Sequence, residues 1–219
     1  MTPQPLSPRA VRTRTALLDA GLDLLVERSI DGIAIDELVA AAGVAKGSFF
    51  NHFGDKYGFA NAIAEQIRGE IEALIGAFNA GQSDPLVRLC GGMTGAAAFA
   101  FCERKRAAVL ARGARGMTLE DHVLNRGVIA DLRDVAAMHR LAPAATRGGV
   151  LFWLGCCQAL MGGLIEKHAD AAEVVAMLSD MIALGLGGLG IDPANAERFS
   201  DPAVVRGELD RAIVLLKNR

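Results

Sequence analysis

The side chains able to do chemistry gather in one short stretch. Lys46, Gly47, Ser48, Asn51 and His52 lie close together with Phe50 among them, and Lys56 follows just beyond. An ammonium, a hydroxyl, a carboxamide and an imidazole at this spacing make a set of hydrogen-bond donors rather than a reaction centre. On a helix they would project from its beginning and one side, where phosphate contacts position a protein and base-edge contacts specify sequence. From Leu38 through Gly54 there is no acidic residue. The whole chain of 219 residues nevertheless carries a formal charge of −2, from 23 Lys and Arg against 25 Asp and Glu. Global charge taken alone argues against nucleic acid, whereas the local segment argues for it.

No other reactive residues converge. Cys90, Cys102, Cys156 and Cys157 lack the paired C-x-x-C spacing of a zinc site and read as buried thiols of a reducing cytoplasm. His122, His139 and His168 stand singly, without an H-x-x-x-H or H-E-x-x-H motif, so no metal, no cofactor and no catalytic residue is expected. Gly185, Gly187 and Gly190 spell G-x-G-x-x-G. A dinucleotide fingerprint follows a strand and opens a helix, and this one closes a helix.

The elements that must position the donors are helical. Apolar residues recur at three- and four-residue steps along the chain, which predicts an all-α fold of about ten helices. Ser7 and Pro8 start a first helix to about Arg28, with Leu17, Leu18, Leu22 and Leu25 on one face. Two short helices follow, near Ile35 to Ala42 and Lys46 to Phe53, and Gly43 supplies the turn between them. Leu38 and Val39 bury the first, while Phe49, Phe50 and Phe53 face inward or cover the groove edge. Two short helices joined by a tight glycine turn form a helix-turn-helix, over about residues 34–53.

Asp55 caps a long helix to about Asn79. Later helices are expected at Leu86 to Arg104, then to Ala114, at Leu119 to His139 opened by Thr118, at Ala144 to His168, at Ala171 to Leu186 and at Ala194 to Lys217. Two domains result, 1–59 and 60–219, and the first carries the helix-turn-helix. The uncharged run between Arg147 and Glu166 reaches the length of a membrane span. Its glycines and its lack of interfacial anchors favour a buried helix, and no membrane association is expected.

Residues Thr13 to Ile63 resemble the amino-terminal domain of TetR-family transcriptional regulators. The resemblance rests on Leu17–Arg28, Ala41–Val44, Ala45–Ser48, Phe50–Phe53 and Lys56, all in register. It implies a cytoplasmic, homodimeric, ligand-responsive regulator, most often a repressor, that binds a double-stranded palindromic operator through Lys46, Gly47, Ser48, Phe50, Asn51, His52 and Lys56. Many members have Gly, Thr and Tyr where Ser29, Ala34 and Phe50 stand here. The last two differences remove hydroxyls that contact phosphate in the family, with Arg9, Arg12 and Arg14 as an offset.

Twenty-five glycines, many inside predicted helices, point to close helix contacts or to an open cavity. The expected effector is small and largely apolar, in a pocket lined by Phe99, Phe101, Met117, Met138, Trp153, Cys157 and Met161. The alternative reading is a helical small-molecule-binding protein of the same fold with weak or lost DNA binding, motivated by Ala34, Phe50 and the neutral charge.

Overall fold

Ser7 opens the first helix as its sequence suggests, its Oγ accepting from the Ala10 amide at 3.3 Å. The computed structural model describes residues 7–113 and 122–218. Among the described residues there are eleven α-helices, two 3-10 turns and no strand. Helix α1 (Pro8–Glu27) buries Leu17, Leu18, Gly21 and Leu25, and a 3-10 turn (Ile30–Gly32) leads to α2 (Ile35–Ala41) and α3 (Lys46–His52). Gly43 makes the turn between these two at φ +64°, a conformation that costs a residue with a Cβ. The Val44 amide then donates to the Val39 carbonyl at 3.0 Å, closing α2.

Helix α4 (Lys56–Phe78) starts under Asp55, whose Oδ1 accepts from the Gly58 amide at 2.7 Å. Its first turns complete the core of the amino-terminal domain. The rings of Phe49, Phe53 and Phe59 meet one another with centroids 4.9–5.5 Å apart. Phe59 also packs directly on Gly21, so a side chain at position 21 would displace the ring. The rest of α4 runs into the body of the molecule and buries Ile63, Ile67, Ile71 and Leu74 there.

The body is built around α5 (Pro85–Cys102), which touches α4, α6 (Arg104–Gly113), α7 (Arg126–Met138), α8 (Ala145–Lys167), α9 (Ala171–Leu189) and α11 (Pro202–Lys217). Small residues permit this crowding: a Cβ on Gly95 would lie 2.8 Å from Ile75 of α4. The G-x-G-x-x-G stretch belongs to the same economy. Gly185 faces the Trp153 ring of α8, and Gly190 ends α9 in the left-handed region at φ +87°.

Two expectations change. The predicted last helix is two, α10 (Pro193–Ser200) and α11, because Pro202 breaks the ladder and Asp201 caps the second of them, accepting from Ala203 and Val204 amides at 2.8 and 3.2 Å. The helix predicted from Leu119 begins, among the described residues, with a 3-10 turn (Val123–Asn125) before α7; Thr118 and residues 119–121 lie outside them.

Three described helices, α5, α8 and α9, are long and apolar enough to cross a membrane by length and composition. Helix α5 spends that character at the centre of the body. Helices α8 and α9 instead leave apolar side chains uncovered, with Leu151 57%, Phe152 41% and Leu184 68% exposed.

Candidate nucleic-acid interface and ligand cavity

Helix α3 is two-faced. Phe49 is fully buried beneath it, while Lys46, Gly47, Phe50 and Asn51 are exposed and Ser48 and His52 are half-buried. The three phenylalanines therefore separate: Phe49 and Phe53 form core, and Phe50 stands out at 50% exposure with its ring edge-on to Phe49. Exposed donors on one side of a helix anchored by aromatic packing on the other form a surface that can enter a groove without unfolding anything.

The electrostatics are less one-sided than the linear sequence suggests. Asp36, two residues before the acid-free stretch, sits one helix away in space and pairs its Oδ1 with Lys46 Nζ at 2.7 Å. Glu37 pairs with Arg28. Lys56 donates to the Asp31 carbonyl at 3.0 Å and lies over the Tyr57 ring, whose hydroxyl donates to Asp31 Oδ1 at 2.9 Å. Arg14 lies over the Phe53 ring, which brings α1 to the edge of the same surface. Tyr57 and Asp36 do not stand out in the sequence; Tyr57 carries one signal there, an aromatic residue directly after Lys56. Ala34 leaves α2 without a side-chain cap, and Arg9 and Arg12 are exposed on the first turns of α1.

A cavity of about 490 Å³ opens inside the body, between α4, α5, α6, α7 and α8. Its volume lies within the range of small-molecule sites. Ile71, Ile75, Leu89, Leu110, Trp153, Leu154 and Met161 make the apolar wall. A polar wall faces it: Arg68 pairs with Glu72 on α4, and Arg88 Nε of α5 meets Asp131 Oδ1 of α7 at 2.6 Å. Burial raises the carboxyls of both Glu72 and Asp131, outweighing the pull of their arginines. Cys157 also faces the space, and burial pushes its thiol up to about 12, leaving it uncharged at neutral pH.

The residues expected to line a pocket divide. Trp153, Cys157 and Met161 are in the cavity wall. Phe99 instead packs in the core with Arg106 over its ring, Phe101 packs against the core from its margin, and Met138 ends α7 at 67% exposure. Met117 lies outside the described residues. Aromatic and methionine content located α8 but missed the polar wall, because arginine and glutamate at helical spacing look like a solvated face until a neighbouring helix covers them. Among the described residues no group of three His, Cys, Asp or Glu side chains is placed to hold a metal ion.

One ladder joins the cavity to the amino-terminal domain. Leu110 and Ala111 of α6 line the cavity, and the next residue, Arg112, donates to the Leu25 carbonyl near the end of α1 at 2.6 Å. Arg106 on the same helix pairs with Glu70 of α4 at 2.7 Å.

The family model described as "Bacterial regulatory proteins, tetR family" matches residues 17–63, which contain α2, α3 and the start of α4. Over 75 residues, 34% of this chain, the sequence is 33% identical to the HTH-type transcriptional repressor DhaR of Mycobacterium sp. (strain GP1). Over 84 residues, 38% of this chain, it is 36% identical to the transcriptional regulator AcuR of Cereibacter sphaeroides. The matched segment spans 38% of the length of each of these relatives. Structural likeness extends further: RolR in complex with resorcinol superposes over 88% of this chain and 95% of its own, at a TM-score of 0.63 and 19% identity.

Proposed function

We propose that the chain, whose residues 17–63 match the TetR family model, is a homodimeric transcriptional repressor of that family, acting in the cytoplasm, which leaves a palindromic operator when a small molecule fills the cavity of its body. The observation that carries this reading is α3, whose exposed Lys46, Gly47, Phe50 and Asn51 project from a face held in place by Phe49. Lys46, Ser48, Asn51, His52 and Lys56 would supply phosphate and base-edge donors, and Gly47 would allow close approach to the backbone. The uncovered apolar faces of α8 and α9 support pairing of two copies, which sets the two recognition helices about 34 Å or more apart. Residues 1–59 would then serve as the DNA-binding domain and 60–219 as the ligand-binding and dimerisation domain.

Resorcinol in the structurally similar RolR supports a ring-sized effector, in keeping with the apolar wall of Trp153, Met161 and Ile71. Effector binding acts by differential affinity: the ligand favours a conformer whose recognition helices no longer match two half-sites. A gel shift on the DNA flanking the protein's own gene, with wild type and Lys46→Ala at low salt, tests the reading. A shift with wild type that weakens in the variant supports it. No shift at low salt would favour a second reading, a helical ligand-binding protein that lacks DNA binding, to which the Lys46–Asp36 pair and the missing hydroxyl at Phe50 lend weight.

A further inference from the structure

The polar wall of the cavity is unevenly supplied. Arg88 is fully engaged: Nε meets Asp131, one terminal nitrogen meets Asp134 Oδ2 at 2.5 Å, and the other donates to the Gln82 and Ser83 carbonyls at 3.4 and 3.1 Å. Arg68 pairs with Glu72 and reaches Asn125 Oδ1 at 3.5 Å. The carboxylates are not saturated. Among the described residues, Glu72 accepts only from Arg68 and Asp131 only from Arg88, which leaves one oxygen of each without a protein donor. Asn79, also in the wall, adds no acceptor to the space: its Oδ1 is buried against Gly91 of α5 and its amide nitrogen donates to the Arg88 carbonyl. The cavity therefore holds two carboxylates with an oxygen to spare, each beside an arginine whose charge it already balances.

Charge points the same way. Two arginines face two carboxylates across the wall, and Asp134 adds a third carboxylate outside it. An incoming anion would find no uncommitted cation and would sit beside Glu72 and Asp131, whose charged forms burial already disfavours. A hydroxyl, by contrast, would give such a carboxylate the charge-assisted bond it lacks.

Resting on the reading of this cavity as the effector site, we infer that the effector is an uncharged, ring-sized apolar molecule bearing at least one hydroxyl, which donates to Glu72 or Asp131, and that carboxylates and phosphate esters are rejected. The apolar body lies against Trp153, Met161 and Ile71, opposite the acids. Glu72 and Asp131 are thereby the residues that set specificity.

Three naphthalene probes of similar size separate the chemistries: 2-naphthol donates, 2-methoxynaphthalene only accepts, and 2-naphthoate carries the negative charge. Calorimetric titration of the full-length protein should give 2-naphthol an affinity about tenfold or more above the methoxy compound, the scale of one bond to a charged acceptor, and little binding of the naphthoate. Glu72→Gln and Asp131→Asn, each checked for helicity and cooperative melting, should shrink the naphthol preference in at least one variant while binding of the methoxy compound persists. Should a variant fail to fold, the wild-type ranking decides alone. Equal affinity for all three, preference for the naphthoate, binding of none, or a preference unmoved in both folded variants would overturn the inference. The gel shift with operator DNA is independent of this ranking, so loss of DNA binding with the ranking intact would remove the regulatory reading and leave the ligand class standing.

Discussion

Lys46 comes to any DNA already paired. Its ammonium meets Asp36 at 2.7 Å on the protein surface, and a phosphate must take the place of that carboxylate. An exposed pair of this kind contributes about 0–1 kcal/mol to stability, so Asp36→Asn should barely move the melting temperature. It should instead tighten binding to nonspecific DNA several-fold and steepen the dependence on salt by about one ion, measured by fluorescence anisotropy across a sodium chloride series. Unchanged affinity and slope would mean that the pair does not compete with phosphate. Phe50 makes a complementary case: half-exposed and beside Asn51, it offers a ring where Phe50→Tyr would offer a donor. That variant should bind operator more tightly, and an unaltered affinity would place position 50 outside the contact surface. The donors of α3 were legible in the sequence because they are local in it. Asp36 was not, since a window that starts at Leu38 cannot see a carboxylate returned to it by the turn at Gly43.

Helix α6 is the element that touches both the cavity and the amino-terminal domain. Leu110 and Ala111 border the cavity and Arg112 holds the Leu25 carbonyl, 87 residues away in sequence, so a ligand that moves α6 pulls on the last turn of α1. Arg112→Ala should leave ligand affinity within about twofold of wild type and reduce the ligand's effect on operator affinity, a loss of coupling rather than of binding. Calorimetry beside a gel shift with and without ligand measures the two separately; full induction in the variant would rule this contact out. The polar wall is likewise assembled from elements, with Glu72 on α4, Arg88 on α5 and Asp131 on α7. Both carboxyls are raised by burial, so the folded chain keeps protons at pH values where the unfolded chain has lost them. Their contribution to stability is full below the ordinary carboxyl range and is lost as pH rises through the raised folded values. Glu72→Gln should flatten that part of the stability profile in urea melts run upward from the ordinary carboxyl range; an unchanged profile would show that Glu72 does not titrate differently on folding. Periodicity made helix number and boundaries readable to within a few residues through α5. It failed where chemistry within a short stretch overrides period, at Asp201–Pro202, and it could not show which faces of α4, α5 and α7 turn toward one another.

At the scale of the whole molecule, the −2 charge and the uncovered faces of α8 and α9 bear on one question, how a nearly neutral protein would hold DNA in the proposed role. A single α3 offers one lysine, and that lysine is paired, so each subunit alone should bind weakly. The proposed pairing of two copies would make the second half-site contact intramolecular, and the affinities would then combine without any added charge. The surface available for joining is on α8 and α9, where Leu151, Phe152 and Leu184 are exposed and close packing at Gly188 sets Phe152 against α9. Exposed apolar side chains clustered on adjacent helices mark an association surface more readily than a solvated one. Leu184→Glu would bury two carboxylates if the pairing places this position near its two-fold axis, and should give a monomer by light scattering at micromolar concentration. Its helicity and the fit of ligand in the cavity should persist, because Leu184 belongs to neither core nor cavity wall. Operator affinity should fall by far more than any single α3 substitution lowers it, while binding of an isolated half-site stays as weak as before. A variant that remains a dimer, or a monomer that holds the full operator as tightly as wild type, would break the link between the uncovered helices and DNA binding.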